Sequence, residues 1–421
     1  MNQPSTDLRT LLERRKAGYS LEAPFYLDPA VFEQDLKLIF GQHWIYVGTE
    51  AALPEDGDFF TVDIGTTSVL LVRDADMQVN AFHNVCRHRG SRLCTEHKGA
   101  VGNLVCPYHQ WTYNLKGTLL FAEHMGEQFD RSNHNLKPVH LRNVAGLLFI
   151  CLADTPPADI DDMAAAMQPY IAQHRIADCK VAAQIDIVED CNWKLTMENN
   201  RECYHCRANH PELTISLFEY GFGYAPTADN CDGIEAYNRL LERRHSEWES
   251  LGLACREIDH LDDRVTGFRT QRLPLDGDGQ AQTMTGKSAS TRLLGAFGRA
   301  DLGALSFWTQ PNSWHHFMAD HIVTFTVLPI SAEKTLVRTT WLVHKDAQEG
   351  VDYNIADLTA VWVATNAQDR ALVERSQLGI RSAAYEPGPY SPYTEGLVEK
   401  FCCWYTARLA ALLKPEKSQQ P

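Results

Sequence analysis

Two short segments constrain this chain more than any others. They are Cys86-Arg87-His88 and Cys106-Pro107-Tyr108-His109, separated by residues 89–105. Two thiols and two imidazoles in this order suit a mixed-ligand [2Fe–2S] centre, with Cys86 and Cys106 on one iron and His88 and His109 on the other. The competing use is a structural Cys2His2 zinc site, but Cys-x-His is an awkward first half for zinc, which usually pairs Cys with Cys and His with His. Both uses require two loops brought together on a small scaffold. The surrounding sequence supplies one: Phe59–Ile64, Ser68–Val72, Val79–Val85, Val101–Val105, Trp111–Asn114 and Leu119–Phe121 are short β-rich runs. Turns are expected at Gly65, Asp74–Asp76, Gly99, Gly102 and Lys116-Gly117. Residues 45–155 are therefore expected to form a small all-β domain whose loops carry the cluster ligands.

A second constellation lies about a hundred residues on, in Asn199-Asn200-Arg201-Glu202-Cys203-Tyr204-His205 and His210-Pro211. On a helix Glu202 and His205, three apart, would share a face. His210 cannot return to that face, so it must come from a helix end or a break, with Pro211 as the stop. Two imidazoles and one carboxylate form the facial triad that holds non-haem Fe(II) with open positions. The acid must come from downstream. Asp369 falls on the apolar stripe of a helix expected over Asp352–Ser376, seven residues after Trp362 and three before Leu372, so it should point inward. A buried carboxylate needs a partner, a metal or an Arg. Asp320 is the alternative, although an Asp at a strand end more often serves a turn. His315, His316 and His321 are read as supporting or structural.

The 421 residues fit two domains. Residues 1–44 are expected to pack on the catalytic domain as a polar arm over residues 1–18, anchored by Leu8, Leu11 and Leu12, and a helix opening at Asp28-Pro29 with Phe32, Leu36, Ile39 and Phe40 inward. Asp154, Pro156, Pro157 and Asp159 mark a linker. Residues 156–421 are expected to be α+β: a helix over Met163–Ile176 kinked at Pro169, strands at Lys180–Cys191, Ser306–Trp314, His321–Leu328 and Leu336–Val343, and a last helix over Leu397–Leu413. Asn192 is expected to cap the helix leading into the iron motif. The tail Lys414–Pro421 reads as disordered. A formal charge of −15 argues against nucleic-acid or anionic-membrane partners and is compatible with a cationic substrate. Cys86 and Cys106 apart, the other ten of the twelve cysteines show no framework spacing and read as free thiols of a reducing cytoplasm. No window has the apolar length of a membrane span.

The two motifs, in this order and separation, resemble the Rieske non-haem iron oxygenases, catalytic α subunit. The resemblance covers nearly the whole chain. It is closest to the branch acting on quaternary ammonium compounds, through Glu202 where most ring-hydroxylating relatives have Asp, through Glu202-Cys203-Tyr204-His205-Cys206, and through Tyr385-Glu386-Pro387-Gly388-Pro389-Tyr390-Ser391-Pro392-Tyr393. The segment Gln368–Glu374 resembles the family's C-terminal ligand segment. The resemblance implies a Rieske domain followed by an antiparallel-sheet catalytic domain, with a Rieske [2Fe–2S] cluster and mononuclear Fe(II) held by His205, His210 and Asp369. It also implies that Glu202 carries electrons between a cluster histidine of one subunit and an iron histidine of the next, hence a head-to-tail homotrimer. No dinucleotide fingerprint is present, so a separate NAD(P)H-dependent reductase with a flavin and a ferredoxin-type centre is expected as partner.

The implied reaction is O2-dependent N-demethylation, with glycine betaine first among substrates and stachydrine second, choline and carnitine following. Oxygenation of a neutral arene and a zinc-stabilised binding module are the alternatives. Phe307, Trp308 and Trp314, expected in one strand, together with Phe218 and Tyr220, are the candidate walls for a quaternary ammonium, which has no hydrogen to donate and is held by ring quadrupoles. Strand aromatics are more often core than cage.

Overall fold

The computed structural model describes residues 7–413; the expectation for Lys414–Pro421 lies outside them. The chain opens with α1 (Leu8–Arg14), α2 (Ala23–Leu27) and α3 (Pro29–Gln34), the last capped by Asp28, whose side chain accepts from Ala30 N–H. A π-helical turn over Asp35–Phe40 extends α3 and buries Leu38, Ile39 and Phe40. It turns Asp35 fully inward, where Lys194 Nζ, Trp193 Nε1–H and Tyr405 O–H converge on its carboxylate. The N-terminal segment is thereby fastened to the helices of the second half.

The β-rich part follows the expected runs closely. Its strands are β1 (Ile45–Thr49), β2 (Asp58–Ile64), β3 (Thr67–Arg73), β4 (Val79–His83), β5 (Lys98–Ala100), β6 (Leu104–Val105), β7 (Thr112–Tyr113), β8 (Leu119–Phe121), β9 (His140–Val144) and β10 (Leu147–Cys151). They make three antiparallel sheets, in the orders β1-β10-β9, β4-β3-β2-β5 and β6-β7-β8. Phe59, Leu70, Val72, Phe82, Trp111, Tyr113 and Leu119 pack into one core with Cys86 and Cys106.

Helix α4 (Ile160–Ile171) follows, and Pro169 lies in its last turn. The chain then enters β11 (Cys179–Glu189), α5 (Trp193–Asn200), the four-residue α6 (Cys206–Asn209) and α7 (Cys231–Ser250). The strands β12 (Ile258–His260), β13 (Phe268–Leu273), β14 (Ala304–Thr309), β15 (Ser313–Phe317), β16 (His321–Ser331) and β17 (Lys334–His344) form a meander, and β11 adds beside β17 to complete a seven-stranded antiparallel sheet. Helices α8 (Ile355–Ile380) and α9 (Gly396–Leu412) complete the domain.

Two expectations are corrected by the fold. The run Ser306–Trp314 is not one strand: it is the hairpin β14–β15, turning at Gln310-Pro311-Asn312, so Trp308 and Trp314 are cross-strand partners. A proline inside an apolar run was the local signal for that turn. The ten remaining cysteines are not all free, because Cys203 and Cys206 form a disulfide. The break between α5 and α6 folds their three-residue spacing into a tight loop with a Cα–Cα distance of 4.9 Å, within disulfide range.

Candidate active site

The two cluster loops have matching backbones. Gly90 N–H closes onto Cys86 C=O at 3.1 Å, and Gln110 N–H onto Cys106 C=O at 3.0 Å. The fifth residue of each loop has positive φ, +77° at Gly90 and +60° at Gln110, which glycine adopts without strain. Both sulfurs lie in the core as unbonded thiols, whereas His88 and His109 are exposed at the tip with ring centroids 4.7 Å apart. His88 stacks on buried Trp111 at 4.8 Å, and the Tyr113 hydroxyl lies 3.4 Å from Cys86 Sγ. Burial, with the Cys106 thiol alongside, pushes the Cys86 thiol up. Two buried thiols facing each other without bonding, beneath two solvent-facing imidazoles, fit a mixed-ligand cluster whose histidine side looks outward.

The second centre is built by α5, α6 and α8. Asn192 caps α5 by accepting from Lys194 N–H, while its amide donates to Tyr26 C=O and Ala332 C=O. Gln377 Oε1 on α8 accepts from Asn192 N–H, so the start of α5 is tied to the helix that carries Asp369. The expected helical pairing of Glu202 with His205 is not how they meet. Helix α5 stops at Asn200, and Glu202 instead closes the turn that precedes α6, its Oε2 accepting from Tyr204 N–H and His205 N–H. Its Oε1 then reaches His205 Nδ1. His210 is the C-cap residue of α6, at the break its spacing required.

The other ring nitrogens converge on α8. His205 Nε2 lies 3.2 Å and His210 Nε2 3.0 Å from Asp369 Oδ1. His210 Nε2 is buried and makes no hydrogen bond despite that distance. Each imidazole is tied back through Nδ1, His205 to Glu202 and His210 to Gln368 Oε1 at 2.8 Å. In the neutral rings this favours the tautomer with the lone pair on Nε2, as a metal ligand requires. Burial opposes charge on His205, but pairing with Asp369 and Glu202 outweighs it and holds the ring up at about 9. Burial would raise Asp369; its two histidine partners bring it below the usual carboxylate range. Cys206 Sγ is also within 4.8 Å of both imidazoles, but it is bonded to Cys203 and offers no thiolate. Two imidazole lone pairs and a carboxylate aimed at one point fit Fe(II). Asp320 lies elsewhere: it is fully buried, and its Oδ2 accepts from Ala289 N–H and Ser290 N–H.

A cavity of about 440 Å³ opens onto this point and is lined by His205, His210, Asp369, Phe218, Trp308, His316 and Trp362, among others. Strand register decides which aromatics reach it. Directly opposed residues share a face, and the rows Arg269–Trp308–Trp314 and Gln271–Ser306–His316 face the helices. Phe307, in the row Thr270–Phe307–His315, faces the opposite core and is fully buried there, so it is no pocket wall. Trp314 is stacked on Phe325 at 4.8 Å and lines only a smaller cavity behind Asp369. Tyr220 packs over Gly233 at the start of α7, outside the lining. Trp362 was legible only as a buried helix residue, yet it lines the cavity, stacked on His316 at 4.8 Å. Its seven-residue spacing from Asp369 was the available signal. Burial keeps His316 neutral by lowering it to about 3, and His315, fully buried, also stays neutral.

Residues 43–136 match the family described as Rieske [2Fe-2S] domain, and residues 176–411 match the ring hydroxylating alpha subunit (catalytic domain). The chain belongs to the Rieske ring-hydroxylating oxygenase α-subunit family. It is 47% identical to the glycine betaine monooxygenase oxygenase subunit of Chromohalobacter salexigens, across 96% of this chain and 89% of that protein. The Pseudomonas aeruginosa subunit of the same name is 46% identical, across 97% and 93%. A solved quaternary ammonium Rieske monooxygenase in complex with L-carnitine shares the fold, with a TM-score of 0.68 at 21% identity over 97% of this chain and 99% of that one. The protein is thus a Rieske-type monooxygenase that uses a [2Fe–2S] cluster and a mononuclear iron. Among the described residues no helix is long and apolar enough to cross a membrane.

Proposed function

We propose that this oxygenase removes an N-methyl group from a quaternary ammonium compound, with glycine betaine giving dimethylglycine and formaldehyde. The observation that carries the reading is identity of 45–47% over nearly the full length to oxygenase subunits named for glycine betaine. The convergence of His205, His210 and Asp369 beneath a substrate-sized cavity supports it.

Cys86, His88, Cys106 and His109 would hold the cluster, and His205, His210 and Asp369 the mononuclear iron. When bound, these groups supply single electrons and O2 activation. The balanced conversion takes the substrate, O2, two electrons and two protons to the N-hydroxymethyl ammonium and water. The hydroxyl then loses its proton, the C–N pair returns to nitrogen, and formaldehyde leaves with the tertiary amine. Glu202 and Gln368 orient the two imidazoles. Trp362, Phe218 and neutral His316 give the cavity a largely uncharged wall suited to a methylated cation, which has no N–H to donate. Glu202 holds His205 with one oxygen and lies in no hydrogen bond to His88 or His109 of its own chain. The resemblance to the family makes it the electron bridge to a neighbouring subunit in a homotrimer, with a separate reductase as donor.

The test is a panel of glycine betaine, stachydrine, carnitine, choline and an arene with purified protein and surrogate reductant, scored by formaldehyde release. Formaldehyde from glycine betaine with the highest kcat/KM is expected. Hydroxylated arene with no formaldehyde from any quaternary amine would overturn the reading.

A further inference from the structure

Among the described residues three cationic side chains line the cavity: Arg201, Arg269 and Lys400. Its two carboxylates, Glu202 and Asp369, are taken up by the histidines. Lys400 is neutralised by Asp259 at 2.9 Å and Asp262 at 3.7 Å, and Arg269 by Glu257 at 3.0 Å and by Asp259, shared with Lys400, at 3.8 Å. Arg201 has no acid within ion-pair distance among the described residues. Its Nη1 donates to Asn200 Oδ1, and its Nη2 to Thr309 C=O, Gln310 Oε1 and Ser313 C=O. Its Nε has no partner, and the residue is 0% exposed. Burial and repulsion from Arg269 pull the guanidinium down to about 9, with no carboxylate acting the other way. A buried charge left this way is costly unless an anion completes it.

Trp308 joins the two arginines. Arg201 Cζ lies 5.3 Å and Arg269 Cζ 5.2 Å from its ring centroid. A substrate ammonium laid on the same ring would meet two like charges, so this indole is poorly placed as an ammonium wall. Arg269 commits its Nε and Nη2 to Glu257 and Gln271 Oε1, which leaves Nη1 without a protein acceptor among the described residues. Strand register sets Arg269 opposite Trp308 on the cavity face.

We infer that the Arg201–Trp308–Arg269 stack is the carboxylate-recognising wall of the cavity. Arg269 Nη1 meets the carboxylate directly, and Arg201 supplies uncompensated positive charge from behind the indole. The substrate class is then a zwitterion, a quaternary ammonium that also bears a carboxylate. The inference rests on the proposed function for the cationic end alone.

The test is calorimetric binding of glycine betaine, its methyl ester and choline to the purified, iron-loaded oxygenase. All three present trimethylammonium, and only the first is a carboxylate. The wild type should bind glycine betaine at least about tenfold more tightly than the ester, as expected for a charge-assisted hydrogen bond. Arg269→Gln should erase that preference by weakening glycine betaine alone, and Arg269→Lys should restore part of it. Arg201→Gln should also narrow the preference, but its side chain is buried, so the deciding comparison is made at the partly exposed Arg269. Equal wild-type affinity for betaine and ester would overturn the inference, as would an Arg269→Gln variant that loses all three ligands equally. Binding of none of the three by the wild type would instead remove the quaternary ammonium reading itself, and this inference with it.

Discussion

Replacing Gln368 with Leu isolates the fixing of one imidazole tautomer. His210 is 1% exposed, its Nδ1 sits 2.8 Å from Gln368 Oε1, and Gln368 is in turn held by Glu212 through its Nε2. Leucine has nearly the same volume, so packing on α8 changes little. Without the acceptor, the neutral ring gains by moving its proton to Nε2, where Asp369 Oδ1 waits 3.0 Å away. That tautomer points its proton towards the carboxylate and cannot ligate through Nε2. The loss should therefore appear in iron affinity and leave folding stability nearly intact. Supporting hydrogen bonds of this kind are worth about 10- to 100-fold in metal affinity, or roughly 1.4–2.7 kcal/mol. Anaerobic competition with a chromogenic Fe(II) chelator reads the affinity, and an unchanged cluster spectrum reports that the other centre is intact. Gln368→Glu keeps the acceptor and should recover most of the affinity. Wild-type Fe(II) affinity in Gln368→Leu would refute the argument that this contact sets the tautomer.

Asp369→Ala should empty the mononuclear site and abolish turnover while the cluster spectrum survives. Asp320→Ala should keep its second iron but lose about 1–3 kcal/mol of stability, because two backbone N–H groups lose their buried acceptor; metal analysis and urea unfolding separate the two variants. Glu202→Gln should retain both metals and slow reoxidation of a pre-reduced cluster by substrate and O2, and a wild-type single-turnover rate would remove Glu202 as the bridge. His174 is fully buried between Phe297 and Phe317, and burial first, then Arg272, lowers it to about 3. The unfolded chain binds this proton below pH 6.5 and the folded chain does not, so the residue costs stability as pH falls from 6.5 towards 3. His174→Phe should therefore gain about 2 kcal/mol on the wild type between pH 7 and pH 5; a pH-independent difference in urea unfolding would contradict the buried neutral ring.

The candidate metal ligands could be proposed from the sequence because the ligand chemistry admits few residue types at few spacings. Cys86, His88, Cys106 and His109 come from two short loops, and His205 and His210 flank one helical turn. Asp369 could be placed because a stripe of period 3.6 carries Trp362 and Asp369 to one face of a single long helix. What tertiary structure decided is everything set by pairing between distant segments. In a strand, neighbours point to opposite faces, so Phe307 and Trp308 part company on the register of β13, β14 and β15 alone. The sequence offered both as cavity walls; the sheet keeps one. The break after Asn200, which closes a turn on the Glu202 carboxylate and pairs Cys203 with Cys206, follows a helix held to α8 at its start through Asn192 and Gln377. Gln368 gave no local sign that it would meet His210, since that contact joins residues 158 apart in sequence. Arg201 and Arg269 are ordinary arginines until a folded sheet buries one with no counter-ion among the described residues and sets the other across an indole from it. Candidate ligands follow from local chemistry, whereas the shape and charge of the cavity above them follow from long-range register, which no local pattern encodes.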